Sequence, residues 1–373
     1  IDTYENYKKQ SFIDFTDMIS RSIDEVDFPA LEVLILDEAQ DFTPLQWSVI
    51  YKMADKVKKI YLAGDDDQGI YKWNGADPKY FTTYFPGRKV VLRQTRRFGE
   101  AIHHFSQIIR RGIIDSEEKE YEALEKKGVV KRYLSFNEIP IGKLPGTWYI
   151  LGRVNTTVNE LRMSAKDAGL YYGDNKGTRS FDSSQWAAIR AWTKISKGKK
   201  LDKKRAETMF KYIRQIKDLS YRRDKFWSSL PDYQEYDFQG LKDWCGLDLD
   251  DADQSKPWWE ILQRNFKPEQ VTYFIRLLKR YGQKQLNEEP QIIIDTIHSV
   301  KGGEADNVVL ASKCNFPSHF DKKNLQEKVK ELRVWYTGVT RTINTLHLLG
   351  TFHKYNFPLS KYYKLYKSNY VSI

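Results

Sequence analysis

The sequence predicts an α/β fold of parallel sheets with a helical insertion, and three observations support this. The apolar run at residues 33–36 follows Leu31 and is typical of a strand buried on both faces, as in a parallel sheet. Strand, helix and strand patterns then alternate at short spacing, which is the signature of α/β domains. Residues 176–289 instead carry many Lys, Arg, Trp and Tyr at helical spacing, with little strand signal.

The first part of the chain, residues 1–94, begins with a predicted helix whose apolar residues share one face. Those residues are Phe12, Phe15, Met18, Ile19 and Ile23. The strand at 33–36 comes next, and a helical pattern restarts at Pro44. Further strands are predicted at residues 59–63 and 90–92.

A second α/β domain is predicted from residues 95–175 and 290–373, interrupted by the insertion at 176–289. Its predicted strands are residues 147–151, 291–295, 308–311 and 345–349, with a helix at Val158 and another that ends near Arg341. The aromatic and aliphatic residues of the insertion are predicted to form a core rather than ligand contacts. They are Trp186, Ile189, Trp192, Ile195, Trp258, Ile261 and Leu262.

Two adjacent carboxylates, Asp37 and Glu38, follow the first strand. Acids at the carboxyl end of a parallel strand face the crevice where open α/β sheets bind ligands. An Asp there can hold Mg²⁺, and a neighbouring Glu can activate a water molecule. Both acids equally suit the first turn of a solvated helix, so this stretch alone leaves the two interpretations open.

The loop at residues 64–77 follows the second strand and is acidic. Gly64 and Gly69 have phosphate-loop spacing, but Ile70 stands where Lys is required, and no other stretch of the sequence matches G-x-x-x-x-G-K-[ST]. The loop also carries the aromatic residues Tyr71 and Trp73. In a basic protein they are candidates to stack on nucleobases, although packing onto the sheet is an equal alternative.

Composition narrows the class of protein. The net charge of +11 and the pI of about 9.2 favour a polyanionic partner. Cys245 and Cys314 have neither zinc-site spacing nor a disulfide framework, which suits a reducing compartment. No apolar run reaches membrane-spanning length. The sequence begins at Ile1 and reaches a central strand within about thirty residues, so we expect a fragment or one piece of a split protein.

Five stretches, taken in order, resemble the motifs of the UvrD/Rep/PcrA-like branch of superfamily 1 DNA helicases. Residues 37–41 resemble its Walker B box, and residues 64–77 the next motif, through Asp-Asp-Gln-x-Ile-Tyr-x-Trp-x-Gly-Ala. Residues 92–98, 296–304 and 336–341 resemble the remaining three. The resemblance implies two RecA-like domains, the first truncated at its N-terminus, with the helical insertion inside the second.

The resemblance implies a role for each matching residue. Asp37 would bind Mg²⁺, Glu38 would activate water, Gln68 would sense the γ-phosphate of ATP, and Arg97 and Arg341 would act as arginine fingers. The implied nucleotide contacts also include Gln40, Arg96, Gly302 and Glu304. The implied contacts with single-stranded DNA are Tyr71, Trp73, Arg153, Thr296 and His298.

The chain departs from the family pattern at three points. Arg96 stands where a Tyr is usual, and Gly303 replaces a Leu, which predicts a looser loop. The phosphate loop with its Lys is missing, so we expect this chain alone to be inactive until the N-terminal Walker A portion of the same protein is supplied.

The expected function is therefore that of an ATP-dependent DNA helicase or translocase in DNA repair or replication. It would move 3′ to 5′ on single strands, act at junctions between single and double strands, and work in a bacterial or phage-infected cytoplasm. The alternatives are a non-catalytic helicase-derived scaffold that binds DNA or a partner, and an RNA-directed motor. Retention of all five catalytic candidates favours the enzyme.

Overall fold

The computed structural model describes residues 4, 7–8, 12–117, 119–213, 227–228, 235–315, 324–350 and 353–370. The strands within these residues are β1 Leu31–Leu36, β2 Val57–Leu62, β3 Gln94–Gly99, β4 Glu122–Leu124, β5 Val129–Tyr133, β6 Trp148–Gly152, β7 Leu201–Asp202, β8 Glu235–Tyr236, β9 Ile292–Thr296, β10 Ala305–Ala311 and β11 Thr342–Leu349. The α-helices are α1 Phe15–Glu25, α2 Pro44–Ala54, α3 Glu100–Arg110, α4 Asn155–Asp167, α5 Ser183–Ile195, α6 Lys203–Phe210, α7 Phe238–Cys245, α8 Trp258–Ile261, α9 Pro268–Asn287, α10 Leu325–Val339 and α11 Leu359–Tyr370.

The chain divides into two compact units, one of Ile1–Leu161 with Asp295–Ile373 and one of Arg162–Ile294. The second unit contains the predicted insertion and is somewhat larger than it. The predicted three-part boundaries at 94, 176 and 290 stay predictions. The mixed α/β architecture is confirmed.

β1 and β2 form a parallel two-stranded sheet in the first unit. Helix α2 starts with a capping box, in which the side chains of Thr43 and Gln46 each accept a hydrogen bond from the other's backbone N–H. Its buried Trp47 and Ile50 pack beneath the sheet, together with Ala39. One face of the sheet is therefore covered by α2.

The opposite face of this sheet is exposed in the described residues, which corrects the prediction of a strand buried on both faces. Val33 is 45% exposed and Ile35 is 70% exposed. Tyr61, which pairs with Ile35 across the two strands, is 57% exposed. The sheet has only two strands, and no element in the described residues covers this face.

The strand predicted at residues 90–92 is wrong. These residues form no strand in the structure, and Val90 and Leu92 are 68% and 83% exposed. The pairing strand is β3, which begins at Gln94 and lies parallel to β4. The apolar pattern therefore placed the strand a few residues too early.

A five-stranded sheet forms the rest of the first unit's framework, in the order β5-β11-β10-β6-β9. The pairs β5–β11, β11–β10 and β10–β6 are parallel, which agrees with the predicted fold class, although β5 was not among the predicted strands. In the β10–β11 pair Ala305 lies opposite Thr342. The preceding residues, Glu304 and Arg341, therefore lie at the amino ends of adjacent strands.

The second unit is mainly helical and has a core rich in aromatic residues. Trp186, Trp192 and Phe274 are each at most 3% exposed and lie in one cluster, which confirms the prediction that the insertion's aromatics form a core. One detail differs from an all-helical insertion: β7 and β8 form a short antiparallel ribbon. No helix in the described residues is both long and apolar enough to cross a membrane.

Candidate functional site

The acid pair lies directly after β1, as the sequence predicts. Asp37 and Glu38 are both exposed, and Asp37 Oδ1 accepts a hydrogen bond of 2.8 Å from the backbone N–H of Glu38. Asp37 Oδ2 has no hydrogen-bond partner in the described residues, so this carboxylate fits a hard cation such as Mg²⁺. Glu38 has a φ of 51°, in the left-handed region that few non-glycine residues adopt. Such backbone strain is concentrated at functional sites.

Gln40 connects the acid pair to the acidic loop and is completely buried. Its Nε2 donates to Glu38 Oε2 at 2.5 Å, and its Oε1 accepts from the backbone N–H of Asp65 at 3.1 Å. Both ends of the amide are therefore engaged by protein atoms. Gln40 orients Glu38 in this structure, and its predicted nucleotide contact stays a prediction.

Lys301 is the main site residue that sequence reasoning did not single out. Its side chain is 6% exposed and forms an ion pair with Asp41, while its Nζ lies 3.7 Å from Glu38 Oε2. The same Nζ donates to the carbonyl of Gln68 at 2.8 Å and lies 5.2 Å from the centroid of the Tyr71 ring. Burial raises the pKa of Asp41 although Lys301 opposes that shift. Lys301 therefore contacts both the motif at residues 37–41 and the motif at residues 64–77.

Gln68 and Arg341, which are 273 residues apart in sequence, meet in the structure. The guanidinium of Arg341 donates from Nη2 to Gln68 Oε1 and from Nη1 to the carbonyl of Gly303 at 3.1 Å. Burial, with the nearby positive charge of Arg97, lowers the pKa of Arg341 to about 10. Arg341 remains a cation at neutral pH, and its position beside Gln68 is fixed by four acceptors, the other two being the carbonyl of Thr337 and the hydroxyl of Thr340.

Arg97 and Glu304, the other predicted finger and the predicted sugar contact, pair with each other. Arg97 Nε lies 2.7 Å from Glu304 Oε2, and its Nη1 donates to the carbonyl of Thr340 at 2.9 Å. Arg96 is exposed, and Gly302 has a φ of 83°. The structure thus brings Arg97 to the loop that precedes Arg341, with its charge neutralised by Glu304.

Three rings form an aromatic cluster beside Lys301. The centroid of the Tyr71 ring lies 6.3 Å from that of Trp73 and 6.3 Å from that of His298, both in edge-to-face geometry. Trp73 is 74% exposed, which leaves its face accessible to a stacking partner. Burial, together with Arg153 and Lys301, lowers the pKa of His298 to about 4, so its ring is neutral at pH 7.

The two remaining predicted DNA contacts are engaged within the first unit. Arg153 forms a bidentate ion pair with buried Glu331, with two N–O distances of 2.8 Å. Thr296 Oγ1 lies 2.7 Å from Ser299 Oγ at the end of β9. Their roles toward DNA stay predictions.

Comparison with known proteins identifies the family. A model of the UvrD/REP helicase N-terminal domain matches residues 2–85, and one of the UvrD-like helicase C-terminal domain matches residues 178–351. The chain belongs to the UvrD/Rep/PcrA-like superfamily 1 helicases, which confirms the resemblance drawn from the motifs.

Individual relatives agree with this family. The chain is 22% identical over 244 residues to the ATP-dependent DNA helicase PcrA of Bacillus subtilis, which covers 60% of this chain and 32% of the relative. It is 29% identical over 150 residues to the ATP-dependent DNA helicase Rep of Buchnera aphidicola from Acyrthosiphon pisum, covering 36% and 23%. Over 68 residues it is 37% identical to DNA helicase II of Escherichia coli, covering 17% and 9%. The chain spans about a third or less of each of these relatives.

Proposed function

We propose that this chain is part of an ATP-dependent DNA helicase or translocase that hydrolyses ATP between two RecA-like domains. The observation that carries the proposal is that side chains far apart in the sequence are in contact in the structure. Gln68 contacts Arg341, and Lys301 lies against both Asp41 and Glu38. A site assembled from residues so far apart suits phosphoryl transfer, which depends on positioning and on charge stabilisation.

Each residue has a proposed task in ATP hydrolysis. Asp37 holds Mg²⁺, which would neutralise charge on the phosphates, and Glu38 accepts a proton from the attacking water. Gln68 orients that water or the γ-phosphate. Arg341 and Arg97 supply positive charge to the transferring group. The nucleotide contacts proposed from the family motifs are Gln40, Arg96, Gly302 and Glu304.

Release of Arg97 from Glu304 is part of this proposal. The two side chains are paired at 2.7 Å, so each must change partner for Arg97 to reach phosphate and Glu304 to reach the sugar. Glu304 is half exposed, at 52% of its side chain, so a hydroxyl partner can approach it from solvent. The pair keeps the finger neutralised until the nucleotide arrives.

The proposed nucleic-acid partner is single-stranded DNA. The protein would bind it at a junction with duplex DNA and move along it from 3′ to 5′. Trp73 is the stacking residue that the geometry favours most, with Tyr71 and His298 behind it. Thr296 lies in the same motif as His298, and Arg153 directly follows β6; both are proposed to contact the DNA. A net charge of +11 supports attraction to a polyanion. By analogy with the bacterial relatives, we propose a cytoplasmic site of action.

The phosphate-binding loop is proposed to come from the N-terminal Walker A portion of the same protein. The 373 residues contain no G-x-x-x-x-G-K-[ST] match, and a backbone cradle with a Lys is the usual hold on ATP phosphates. The exposed apolar face of β1 and β2 supports this, because Ile35 lies on the strand that leads to the acid pair and Tyr61 on the strand that leads to the acidic loop. A segment packed on this face would cover Ile35 and Tyr61 close to the end of the strand that leads to Asp37.

An ATPase assay on single-stranded DNA tests the proposal. We expect DNA-stimulated turnover only when the chain is combined with a polypeptide carrying the phosphate loop, and a loss of at least about 100-fold in Glu38→Gln. Strand displacement on substrates with a 3′ or a 5′ tail then reports polarity. Absence of turnover in the complemented protein, with DNA binding retained, would favour the scaffold hypothesis.

A further inference from the structure

Three consecutive aspartates in the acidic loop are packed together, and two of them are buried. We call Asp65, Asp66 and Asp67 the acidic triplet; one oxygen from each lies within 4.8 Å of the others. Asp66 and Asp67 are 2% and 0% exposed. Burial and the charge of Asp65 raise the pKa of Asp67. Adjacent buried carboxylates repel one another, so they need neutralising partners.

Two cations, Arg110 and Lys119, neutralise these carboxylates, and a third, Arg333, holds the same segment through a backbone carbonyl. We call the three residues the cationic clamp. Lys119 Nζ contacts all three aspartates, at 3.0 Å from Asp65 and 3.4 Å from Asp67. A protein cation thus fills the position that a metal ion would otherwise occupy. Burial opposes the charge on Lys119, yet the three carboxylates outweigh burial and raise its pKa. The triplet is therefore an ion-pair centre rather than a metal site.

The other two members of the clamp contact adjacent residues of the same segment. Arg110 Nε lies 2.7 Å from Asp67 Oδ2. Arg333, whose side chain is 1% exposed, donates from Nε to the carbonyl of Asp66 at 2.9 Å. It is anchored in turn by Asp115, at 2.8 Å. All three cations come from parts of the chain outside β1 and β2, so the loop bridges two regions of the first unit.

The clamp is connected to the proposed site by a chain of hydrogen bonds. Asp65 Oδ1 contacts Lys119, and Asp65 Oδ2 accepts from Gln68 Nε2 at 2.8 Å. This leaves Gln68 Oε1 directed at Arg341. Tyr71 and Trp73 follow in the same loop, a few residues beyond Gln68. The charge on Lys119 therefore fixes the segment from which both Gln68 and the aromatic cluster project.

We propose that the cationic clamp is a positioning device for single-stranded DNA binding, with Lys119 as its central positioning residue. The inference rests on the proposed function, because it takes Trp73 as the stacking residue. Lys119 acts through the acidic triplet and does not touch DNA. Its removal leaves three neighbouring carboxylates with one neutralising partner fewer, so the loop shifts and Trp73 loses its place.

The test is the affinity of the chain for a fluorescently labelled oligo(dT) strand, measured by anisotropy over a range of salt concentrations. We expect Lys119→Met to weaken binding about tenfold, as Trp73→Ala does, and Lys119→Arg to restore most of it. Lys89→Met is the matched control. It removes the same charge from an exposed ion pair with Glu117, so it should leave affinity within about twofold.

The salt dependence separates positioning from direct contact. A lysine that contacts phosphate contributes about one unit to the slope of log affinity against log salt. We expect the same slope for Lys119→Met as for the unaltered chain, because the loss arises from stacking. A slope reduced by about one would overturn the inference in favour of a direct phosphate contact.

A second variant, Asp65→Ala, keeps the test decisive if Lys119→Met does not fold. Asp65→Ala raises the net charge, so simple electrostatics predicts tighter DNA binding, whereas loss of the hold on Gln68 and Lys119 predicts weaker binding. Weaker binding with an unchanged circular dichroism spectrum supports the clamp, and tighter binding overturns it. If Trp73→Ala weakens DNA binding but neither Lys119→Met nor Asp65→Ala does, the inference fails while the proposed function stands. If Trp73→Ala has no effect, the stacking role itself fails and the inference with it.

Discussion

At Gly303 there is no room for a side chain, not even for a Cβ atom. A Cβ built on Gly303 would lie 2.5 Å from the hydroxyl oxygen of Tyr149, and the carbonyl of Gly303 accepts from Arg341 Nη1 at 3.1 Å. The glycine thus allows Tyr149 to approach the loop that supports the finger. The sequence suggested a looser loop at this position, whereas the structure gives the glycine a steric role.

We predict that Gly303→Ala destabilises the protein by about 1–3 kcal/mol, because the methyl group and the Tyr149 hydroxyl overlap. Urea unfolding measures the change in the free energy of unfolding. Tyr149→Phe in the same background removes the overlapping oxygen and should recover most of the loss. Strictly additive effects of the two substitutions would contradict the explanation.

His347 is a buried histidine with a calculable effect on stability. It is fully buried on β11, with its ring centroid 5.1 Å from Trp148 and 5.5 Å from Tyr133. Burial lowers its pKa to about 4, compared with 6.5 for an unperturbed histidine. Neutral His347 therefore prevails in the folded protein well below the pH at which the unfolded chain takes up a proton.

We predict that His347 makes the free energy of unfolding fall as pH drops from about 6.5 to about 4, by up to about 3 kcal/mol. The unfolded state binds the proton first, so stability is lost across that window and no further loss arises below it. Urea unfolding at several pH values measures the trend. His347→Phe keeps the packing without a titrating group and should show a shallower decline; identical pH profiles would count against the assignment.

At the scale of elements, helix α2 is fixed at its start by Thr43. Its side chain caps the helix by accepting from the backbone N–H of Gln46, whose own side chain accepts from the N–H of Thr43. We predict that Thr43→Ala lowers the free energy of unfolding by about 1 kcal/mol, since one helix donor loses its partner. Chemical unfolding measures this change. Ser48→Ala on the same helix removes only an exposed hydroxyl and should stay within about 0.5 kcal/mol; equal losses would exclude capping as the cause.

Sequence periodicity predicted most elements because their apolar residues face a core. It failed at β3, whose residues include Gln94 and Arg96, while the apolar Val90 and Leu92 next to it are exposed. The position of β3 is set by its pairing with β4. The local sequence pattern carries no information about a partner strand some twenty-five residues away. Asp37 and Glu38 were found because they follow a predicted strand, and Arg341 because a family motif contains it. Lys119 was missed because its role depends on contacts with residues more than fifty positions earlier.

For the whole molecule, the exposed face of β1 and β2 is the largest departure from the predicted fold. Ile35 contributes nothing to a core in the described chain, since it is 70% exposed. We predict that Ile35→Ser changes the free energy of unfolding of the chain by less than about 0.5 kcal/mol. The same substitution should reduce the ATPase activity recovered on adding the phosphate-loop polypeptide, because that segment would bury the side chain.

Ile50→Ser is the matched comparison, because Ile50 lies on helix α2, which packs against the opposite, covered face of the same sheet. Ile50 is 6% exposed, so its substitution should destabilise the chain itself by several kcal/mol. Ile35→Ser with full recovery of activity would show that this face does not receive the added segment. Destabilisation by Ile35→Ser alone would show that the face is already covered in solution.

Gln40 carries a consequence for the acid–base behaviour of the site. Its amide donates a hydrogen bond to Glu38 at one end and accepts one from the Asp65 backbone N–H at the other, so the position requires a group that is donor and acceptor at once. A carboxylic acid in its place could meet both demands only while protonated, and it would then share one proton with Glu38. The amide keeps Glu38 available as an independent base and makes the site insensitive to that shared titration.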